Sequence, residues 1–158
     1  MYDKAPEVGE LARDFTLPDH RGEEFPLSKY RGKVVLLSFH PLAWTNICAL
    51  QMQSLENSRE QMEELDAVAV GVSIDSVPSK MAWAKELEIE DTPLLCDFWP
   101  HGGMAKDYGI FREEDGFSER ANILVNPEGE IAFVKVYPIR ELPDMDEIID
   151  EIKKMRGE

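Results

Sequence analysis

The sequence is poor in cysteine and has no long apolar run. It contains 2 cysteines in 158 residues, too few for the disulfide framework of a small secreted protein, so redox or catalytic chemistry is the more informative use for them. No segment approaches the roughly twenty consecutive apolar residues that a transmembrane helix requires. The first residues, Met1 to Pro6, lack the apolar stretch of a secretory signal. These absences predict a cytoplasmic protein with no membrane partner.

Positive charge is also scarce. The 17 lysine and arginine residues are outnumbered by 32 aspartate and glutamate residues, which gives a formal net charge of -15 at pH 7. Such a surface repels nucleic acids and anionic membranes, so no nucleic acid is expected as a partner. The acidic runs at 113–115 and 144–147 are typical of solvated faces and of a helix start rather than of paired catalytic carboxylates.

Metal and nucleotide sites have no sequence support. His20, His40 and His101 show none of the spacings of a zinc site. Each is expected in a loop or on the surface, although His40 precedes Pro41 and is placed to line a site. The Gly102-Gly103 pair lacks the Lys-Ser/Thr of a phosphate loop and predicts a turn into a short helix. We therefore expect no metal and no cofactor.

Hydrophobic periodicity predicts an α/β fold in the first half of the chain. Residues 34–39 and 67–74 are two apolar runs rich in β-branched residues, which is typical of strands buried on both faces. Between them a helical pattern begins near Asn46 and extends to Leu65. The alternation of strand and helix implies parallel strands.

The second half predicts a helix, a β-hairpin and a closing helix. The helix after the second strand buries three residues of one face: Met81, Ala84 and Leu87. Runs 121–125 and 131–136 are joined by the turn residues 126–129, which indicates a hairpin. The last helix is built on Met145, Ile148, Ile149 and Ile152. With 43% hydrophobic residues, the chain is expected to form a single domain over residues 1–158.

Cys48 occupies the most informative position, the first turn of the helix after strand 34–39. Pro41 ends that strand because it has no N–H for the ladder. Thr45 stands one helical turn before the cysteine, where its hydroxyl either caps the helix or turns toward the sulfur. The unpaired N–H groups and positive dipole of a helix start stabilise a thiolate, the reactive form of cysteine. The same periodicity places Cys48 in line with core residues, so local physics leaves a reactive and a packed thiol equally open.

The residue types of this segment and their spacing resemble a known family signature. Pro41, Thr45 and Cys48 match the Pro-x-x-x-Thr/Ser-x-x-Cys motif of the peroxiredoxins of the AhpC/TSA family. These proteins are thiol peroxidases built on a modified thioredoxin fold. The resemblance implies a thioredoxin-like α/β fold, with a central mixed sheet flanked by helices and an N-terminal β-hairpin.

Other parts of the chain extend the resemblance from about residue 5 to residue 150. An opening hairpin is expected around residues 14–22, and the segment 118–125 resembles the strand that carries the family's active-site arginine. Segments 94–102 and 108–111 are most similar to the one-cysteine alkyl hydroperoxide reductase E type.

The resemblance implies four catalytic residues. Cys48 attacks the peroxide, and the Arg120 guanidinium lies beside the thiol and offers several donors in a fixed fork. Thr45 orients peroxide and thiolate through its hydroxyl, while Pro41 shields the site from water. Without the family match, Arg120 is better explained as a surface charge at a strand end, paired with a neighbouring glutamate.

Further residues are weaker candidates for the site. The Gln51 amide, three residues after Cys48, is placed to anchor Arg120. Trp44 and three other aromatic residues either line an approach for organic hydroperoxides or belong to the core or a subunit interface: Phe98, Trp99 and Phe117. This neighbourhood often forms a dimer contact in the family, so a homodimer is expected.

The catalytic cycle closes when a second thiol reduces the Cys48 sulfenic acid. Cys96 is the one internal candidate, and a buried strand thiol is the better interpretation of it. We therefore predict resolution by an external thiol, namely thioredoxin, a glutaredoxin-like protein or a small thiol. Two rival functions on the same fold are a thiol-disulfide oxidoreductase, which ordinarily needs Cys-x-x-Cys, and a non-enzymatic holdase.

Overall fold

The computed structural model describes residues 4–157. Its strands are β1 (Thr16–Pro18), β2 (Glu24–Pro26), β3 (Val34–Phe39), β4 (Ala67–Ser73), β5 (Leu94–Cys96), β6 (Phe111–Arg112), β7 (Phe117–Ser118), β8 (Arg120–Val125) and β9 (Ile131–Tyr137). Its helices are α1 (Asn46–Asn57), α2 (Arg59–Glu64), α3 (Val77–Glu86), α4 (Gly103–Asp107) and α5 (Met145–Met155). A 3-10 turn covers Leu27–Tyr30.

A five-stranded mixed sheet with the order β5-β4-β3-β8-β9 forms the centre of the fold. β3 pairs in parallel with β4 and antiparallel with β8, so Leu37 lies opposite both Val70 and Ile123. All six residues of β3 are buried, as its unbroken apolar run predicts. The predicted parallel pair and the later antiparallel hairpin are therefore both confirmed.

Each face of the sheet is covered by its own hydrophobic cluster. The first contains Met52 of α1, Trp83 of α3 and Ile148 of α5. The second contains Phe25 of the β1–β2 hairpin and Tyr108 after α4. Side chains alternate along a strand, so β3 supplies both clusters. The thioredoxin-like architecture with an N-terminal hairpin is thus the one observed.

One predicted helix is divided into two. The pattern between Asn46 and Leu65 predicts a continuous helix, but α1 ends at Asn57 and α2 begins after Ser58. Both residues at the break are poor helix formers, because their side chains compete for backbone hydrogen bonds. The break turns α2 onto the start of β4.

The buried face of α3 was predicted correctly at Ala84 and incorrectly at Met81. Met81 is 50% exposed, whereas Lys80 and Trp83 are buried next to Ala84. Hydrophobic periodicity places lysine on the solvent face, so it cannot anticipate a lysine with a buried partner. Among the described residues, no helix is long and apolar enough to cross a membrane.

Candidate active site

Cys48 lies in the first turn of α1, against the carboxyl-terminal end of β3. Its side chain is 1% exposed and packs in the same cluster as Met52 and Leu55. The N–H groups of a first helical turn have no intrahelical acceptor, so they and the helix dipole favour negative charge on the sulfur. The sulfur is therefore buried, and its position at the helix start also favours negative charge on it. The sequence left a packed thiol and a reactive thiol as alternatives, and this position is compatible with both.

The segment between β3 and α1 is fixed by hydrogen bonds. Buried Pro41 follows the strand, and the Ala43 N–H donates to Asp75 Oδ2 at 2.8 Å. Thr45 occupies the N-cap position of α1, but its side chain makes no capping hydrogen bond. Its hydroxyl instead donates to the Leu42 carbonyl at 2.8 Å. Neither predicted contact of the Thr45 hydroxyl is present among the described residues.

Arg120 begins β8 and points its guanidinium at the cysteine. The side chain is 4% exposed, and Nη1 lies 3.4 Å from Cys48 Sγ. Nε donates to the Ile139 carbonyl at 3.0 Å. The alternative of a surface charge at a strand end does not hold, because Glu119 pairs with Arg112 at 3.1 Å instead.

Gln51 connects Arg120 to the sheet. Its Oε1 accepts from Arg120 Nη1 at 2.6 Å, while Nε2 donates to Ser38 Oγ at 2.8 Å and to the Phe39 carbonyl at 3.1 Å. Ser38 Oγ then donates to Asn122 Oδ1 at 2.7 Å. Each polar group in this buried chain of hydrogen bonds acts in a defined way, as a donor, as an acceptor or, for the Ser38 hydroxyl, as both. The chain thereby fixes the position of the Arg120 guanidinium.

The polar chain continues through β9 to α5. Asn122 Nδ2 donates to the Tyr137 hydroxyl at 3.4 Å, and that hydroxyl donates to Glu147 Oε1 at 2.7 Å. Glu147 also accepts from Lys135 at 2.9 Å. Burial and the bond to Glu147 raise the pKa of Tyr137, so the hydroxyl remains a donor at neutral pH. Arg120 is thereby linked to α5 by a chain of hydrogen bonds.

All three histidines lie in turns or loops, as expected, but two of them are not at the surface. His20 and His40 are buried, and only His101 is exposed. His20 Nδ1 accepts from the Leu94 N–H at 3.2 Å, and His40 Nε2 lies 2.6 Å from Lys80 Nζ. Each ring is buried because a partner for one of its nitrogens is buried with it.

The predicted aromatic residues lie mainly at the surface. Trp44 is 55% exposed and donates from Nε1 to Ser79 Oγ at 3.1 Å. Phe98 and Trp99, which follow β5, are 50% and 79% exposed, and Phe117 of β7 is partly buried. The structure therefore excludes Trp44, Phe98 and Trp99 from the core.

Cys96 ends β5, at the edge of the sheet. Its sulfur is buried, and the Leu94 carbonyl of the same strand lies 3.8 Å away. Burial raises the pKa of the Cys96 thiol to about 12, despite the opposing effect of Lys80. Cys96 is thus a neutral thiol at physiological pH, as the interpretation of a buried strand residue predicts.

Comparison with known proteins identifies the family. The family model described as "AhpC/TSA family" matches residues 8–134, and this match includes Pro41, Thr45, Cys48 and Arg120. The chain belongs to the AhpC/TSA family. Its members are the peroxiredoxins, so the protein is a thiol peroxidase, an oxidoreductase acting on peroxides.

Individual relatives agree with this assignment. The chain is 38% identical over 138 residues to alkyl hydroperoxide reductase E of Mycobacterium bovis, covering 87% of this chain and 90% of that protein. It is 29% identical over 154 residues to a peroxiredoxin of Thermoplasma volcanium, covering 94% and 74% of the two chains.

Solved structures of the family share the fold. A reduced 2-Cys peroxiredoxin of Plasmodium vivax has a TM-score of 0.86 at 26% identity, covering 96% of this chain and 83% of that one. AhpC of Enterococcus faecalis has a TM-score of 0.87 at 22% identity, covering 95% and 92%, and supports the fold alone.

Two members of the polar chain in this AhpC/TSA protein are absent from the sequence-based prediction. Ser38 and Asn122 stand opposite each other in neighbouring strands, and both are buried. A polar residue inside an otherwise apolar strand signals a buried hydrogen-bond partner. The sequence carries that signal in both strands, but the strand register is needed to show that the two residues pair.

Proposed function

We propose that this peroxiredoxin reduces hydrogen peroxide and organic hydroperoxides through a one-cysteine cycle. Cys48 is oxidised to a sulfenic acid, and an external thiol restores it. The observation that carries the proposal is the 3.4 Å approach of Arg120 Nη1 to Cys48 Sγ in a buried first helical turn. A cation and a helix start then both favour the thiolate.

The geometry suits displacement at an O–O bond. The thiolate attacks one peroxide oxygen and the O–O bond breaks, so sulfur is oxidised and the other oxygen leaves as hydroxide or alkoxide, which takes up a proton. Arg120, held by Gln51 and by the Ile139 carbonyl, supplies positive charge and N–H donors where negative charge develops. The Cys48 N–H adds a further donor.

Thr45 and Pro41 complete the proposed site. The Thr45 hydroxyl donates to the Leu42 carbonyl, which leaves its oxygen as an acceptor for the O–H of the incoming peroxide. Pro41 is buried between β3 and α1 and limits the access of water to the sulfur.

The chemistry of Cys96 supports an external reductant. Resolution requires a thiolate to attack the sulfenic sulfur, but burial raises the pKa of Cys96 to about 12. Cys96 also belongs to the ladder of β5 with β4, which restricts its movement. We therefore propose thioredoxin, a glutaredoxin-like protein or a small thiol as the reductant, rather than a two-cysteine cycle.

We also propose that the protein forms a homodimer. The support is the exposed aromatic pair Phe98 and Trp99 after β5, since large apolar side chains at the surface are typical of interaction sites.

Peroxide turnover with a small dithiol tests the function. The wild type and Cys96→Ser are expected to consume hydrogen peroxide and cumene hydroperoxide at similar rates, because Cys96 has no part in the cycle. Cys48→Ser is expected to show no turnover above the uncatalysed rate. Full activity of Cys48→Ser would refute the assignment, and loss of activity in Cys96→Ser with the small dithiol would favour the two-cysteine cycle.

A further inference from the structure

Lys80 of α3 is a lysine whose side chain is completely buried. It is 0% exposed, and its ammonium lies 2.6 Å from His40 Nε2 and 5.2 Å from the centroid of the Trp83 ring. Lysine is rarely buried without an ionic partner. Within residues 4–157, no carboxylate oxygen lies within 4.0 Å of Nζ.

His40 is the neutral member of the pair. Burial and the charge of Lys80 hold its pKa well below the usual range. The ammonium has only donors, so Nε2 is the acceptor and the ring proton resides on Nδ1. Among the described residues, no group forms a well-aligned hydrogen bond with Nδ1. The Ser38 backbone nevertheless lies close enough to raise the pKa of the ring, against the larger effect of burial. The ring therefore holds the ammonium in place without neutralising its charge.

Several charged and titratable groups face this ammonium from different elements. Asp75 follows β4 and has the largest favourable effect on it, followed by Cys96 of β5 and Cys48 of α1. Burial lowers the pKa of His20, in the β1–β2 turn, and the charge of Lys80 adds to this effect. Burial, Lys80 and Arg120 of β8 all lower the pKa of His40.

Asp75 is a standing countercharge for the ammonium without being its ion-pair partner, and Cys96 contributes no charge. The Asp75 carboxylate is held by the Ser73 hydroxyl at 2.6 Å and the Ala43 N–H at 2.8 Å, and it forms no ion pair with Lys80. Cys96 remains a protonated thiol because burial raises its pKa to about 12. Cys48 is the remaining group that gains a negative charge in the catalytic cycle.

We propose that Lys80, held by His40, is a positioning residue that supplies a second buried positive charge for the Cys48 thiolate. The inference rests on the proposed role of Cys48. Charges separated by several ångströms still interact appreciably in a buried site, where the effective dielectric constant is about 20. The thiolate loses its charge when it becomes a sulfenic acid, so Lys80 favours the reactive, reduced state.

The pH dependence of the thiolate tests this proposal. The ultraviolet absorbance of the thiolate is titrated in a Cys96→Ser background, with the double variant Cys48→Ser/Cys96→Ser subtracted. Lys80→Met keeps the approximate length of the side chain and removes its charge. We expect its midpoint to lie about one pH unit higher, which is roughly tenfold less thiolate below the midpoint. The matched control is Lys85→Met on the exposed face of the same helix.

The two curves have a further expected relation. Burial lowers the pKa of Lys80 to about 8, so the ammonium is lost above that pH and the wild-type advantage disappears. The curves of the wild-type background and of Lys80→Met are therefore expected to converge above about pH 8. Both curves also approach complete ionisation at high pH, so the diagnostic difference between them lies below about pH 8. Coincident curves at every pH in a folded variant would overturn the proposal.

A reciprocal measurement applies if Lys80→Met fails to fold. Coupling between two sites is mutual, so the ¹³Cε titration of Lys80 in Cys48→Ser should have a lower midpoint than in the wild type. An unchanged midpoint would overturn the proposal. Neither measurement uses peroxide, so a failed coupling leaves the peroxidase function intact and a failed turnover assay leaves the coupling measurable.

Discussion

At the residue scale, the site depends on the exact side chain at position 120. The guanidinium contacts Cys48, Gln51 and the Ile139 carbonyl at once. A planar fork reaches three groups in fixed directions, whereas the ammonium of lysine is a compact point charge on a flexible stem. The positive charge and its geometry are therefore separate contributions.

Arg120→Lys separates these two contributions. We expect the second-order rate constant for oxidation of Cys48 by hydrogen peroxide to fall by roughly 100-fold, the usual effect of losing a donor to a developing oxyanion. Stopped-flow tryptophan fluorescence measures this rate. The control Arg21→Lys, at an exposed turn, is expected to react at the wild-type rate. Near-normal kinetics in Arg120→Lys would contradict the role given to the guanidinium.

Some of these residues could be predicted from the sequence and others could not. Pro41, Thr45 and Cys48 stand in one short segment, so their spacing is readable directly. Lys80 and Asn122 approach the site from distant elements. A lysine is placed in solvent by any hydrophobic pattern, and its buried partner His40 becomes visible only in the folded chain.

At the element scale, α1 contributes residues to the site near its start, and near its end it contacts the segment before β5. Its first turn carries Cys48, its second turn carries Gln51, and its last turn carries Glu56. The Glu56 carboxylate accepts from three successive backbone N–H groups, of Glu90, Asp91 and Thr92, and from the Thr92 hydroxyl. The helix thereby fixes the segment that leads into β5.

Glu56→Gln is expected to destabilise the fold in a pH-dependent way. Burial alone raises the pKa of Glu56, but its hydrogen bonds together outweigh burial and lower it below 4.5. A lowered pKa stabilises the fold above the unfolded value, and this contribution is lost as the pH falls through the folded value. At pH 7, Glu56→Gln should therefore lose about 2 kcal/mol, the usual effect of a charged hydrogen bond.

Urea unfolding at several pH values measures this difference. The gap between the wild type and Glu56→Gln should shrink as the pH falls below 4.5, where the native carboxylate becomes protonated. The exposed neighbour Glu60→Gln is the control, with an expected effect within about 0.5 kcal/mol. A gap that stays constant from pH 7 into acid would show that the carboxylate charge is not responsible.

The strands were more predictable than the helices for a physical reason. β3 lies at the centre of the sheet and is buried on both faces, so its apolar run has one interpretation. The hydrophobic periodicity from Asn46 to Leu65 continues across Ser58, so it does not predict that the helix ends there. The local propensity of Asn57 and Ser58 is weak, and packing of α2 on β4 decides the break.

At the scale of the whole molecule, charge and exposed aromatic area oppose each other in self-association. Each chain carries a formal charge of -15, so two copies repel at low salt. Trp99, which is 79% exposed after β5, favours burial against a second copy. A homodimer formed there must overcome the repulsion.

Salt is therefore expected to strengthen the dimer. The Debye length falls from about 30 Å at 0.01 M to about 3 Å at 1 M salt, so the dimer dissociation constant measured by sedimentation should decrease over this range. Trp99→Glu should weaken the dimer. The control is Val8→Glu, which lies next to the opposite edge of the sheet and is 66% exposed. A monomer at every salt concentration would contradict the expectation.

The two cysteines are expected to behave differently when the whole chain is oxidised. Cys48 is buried at a helix start beside Arg120, whereas Cys96 is held as a neutral thiol at the end of β5. Peroxide should therefore produce a sulfenic acid that waits for an external thiol.

The most direct test is intact mass spectrometry after one equivalent of peroxide, with and without a cyclic 1,3-diketone that traps sulfenic acids. One trapped adduct is expected in the wild type and in Cys96→Ser, and none in Cys48→Ser. A wild type that instead loses two hydrogen atoms to a Cys48–Cys96 disulfide, with trapping seen only in Cys96→Ser, would contradict this expectation.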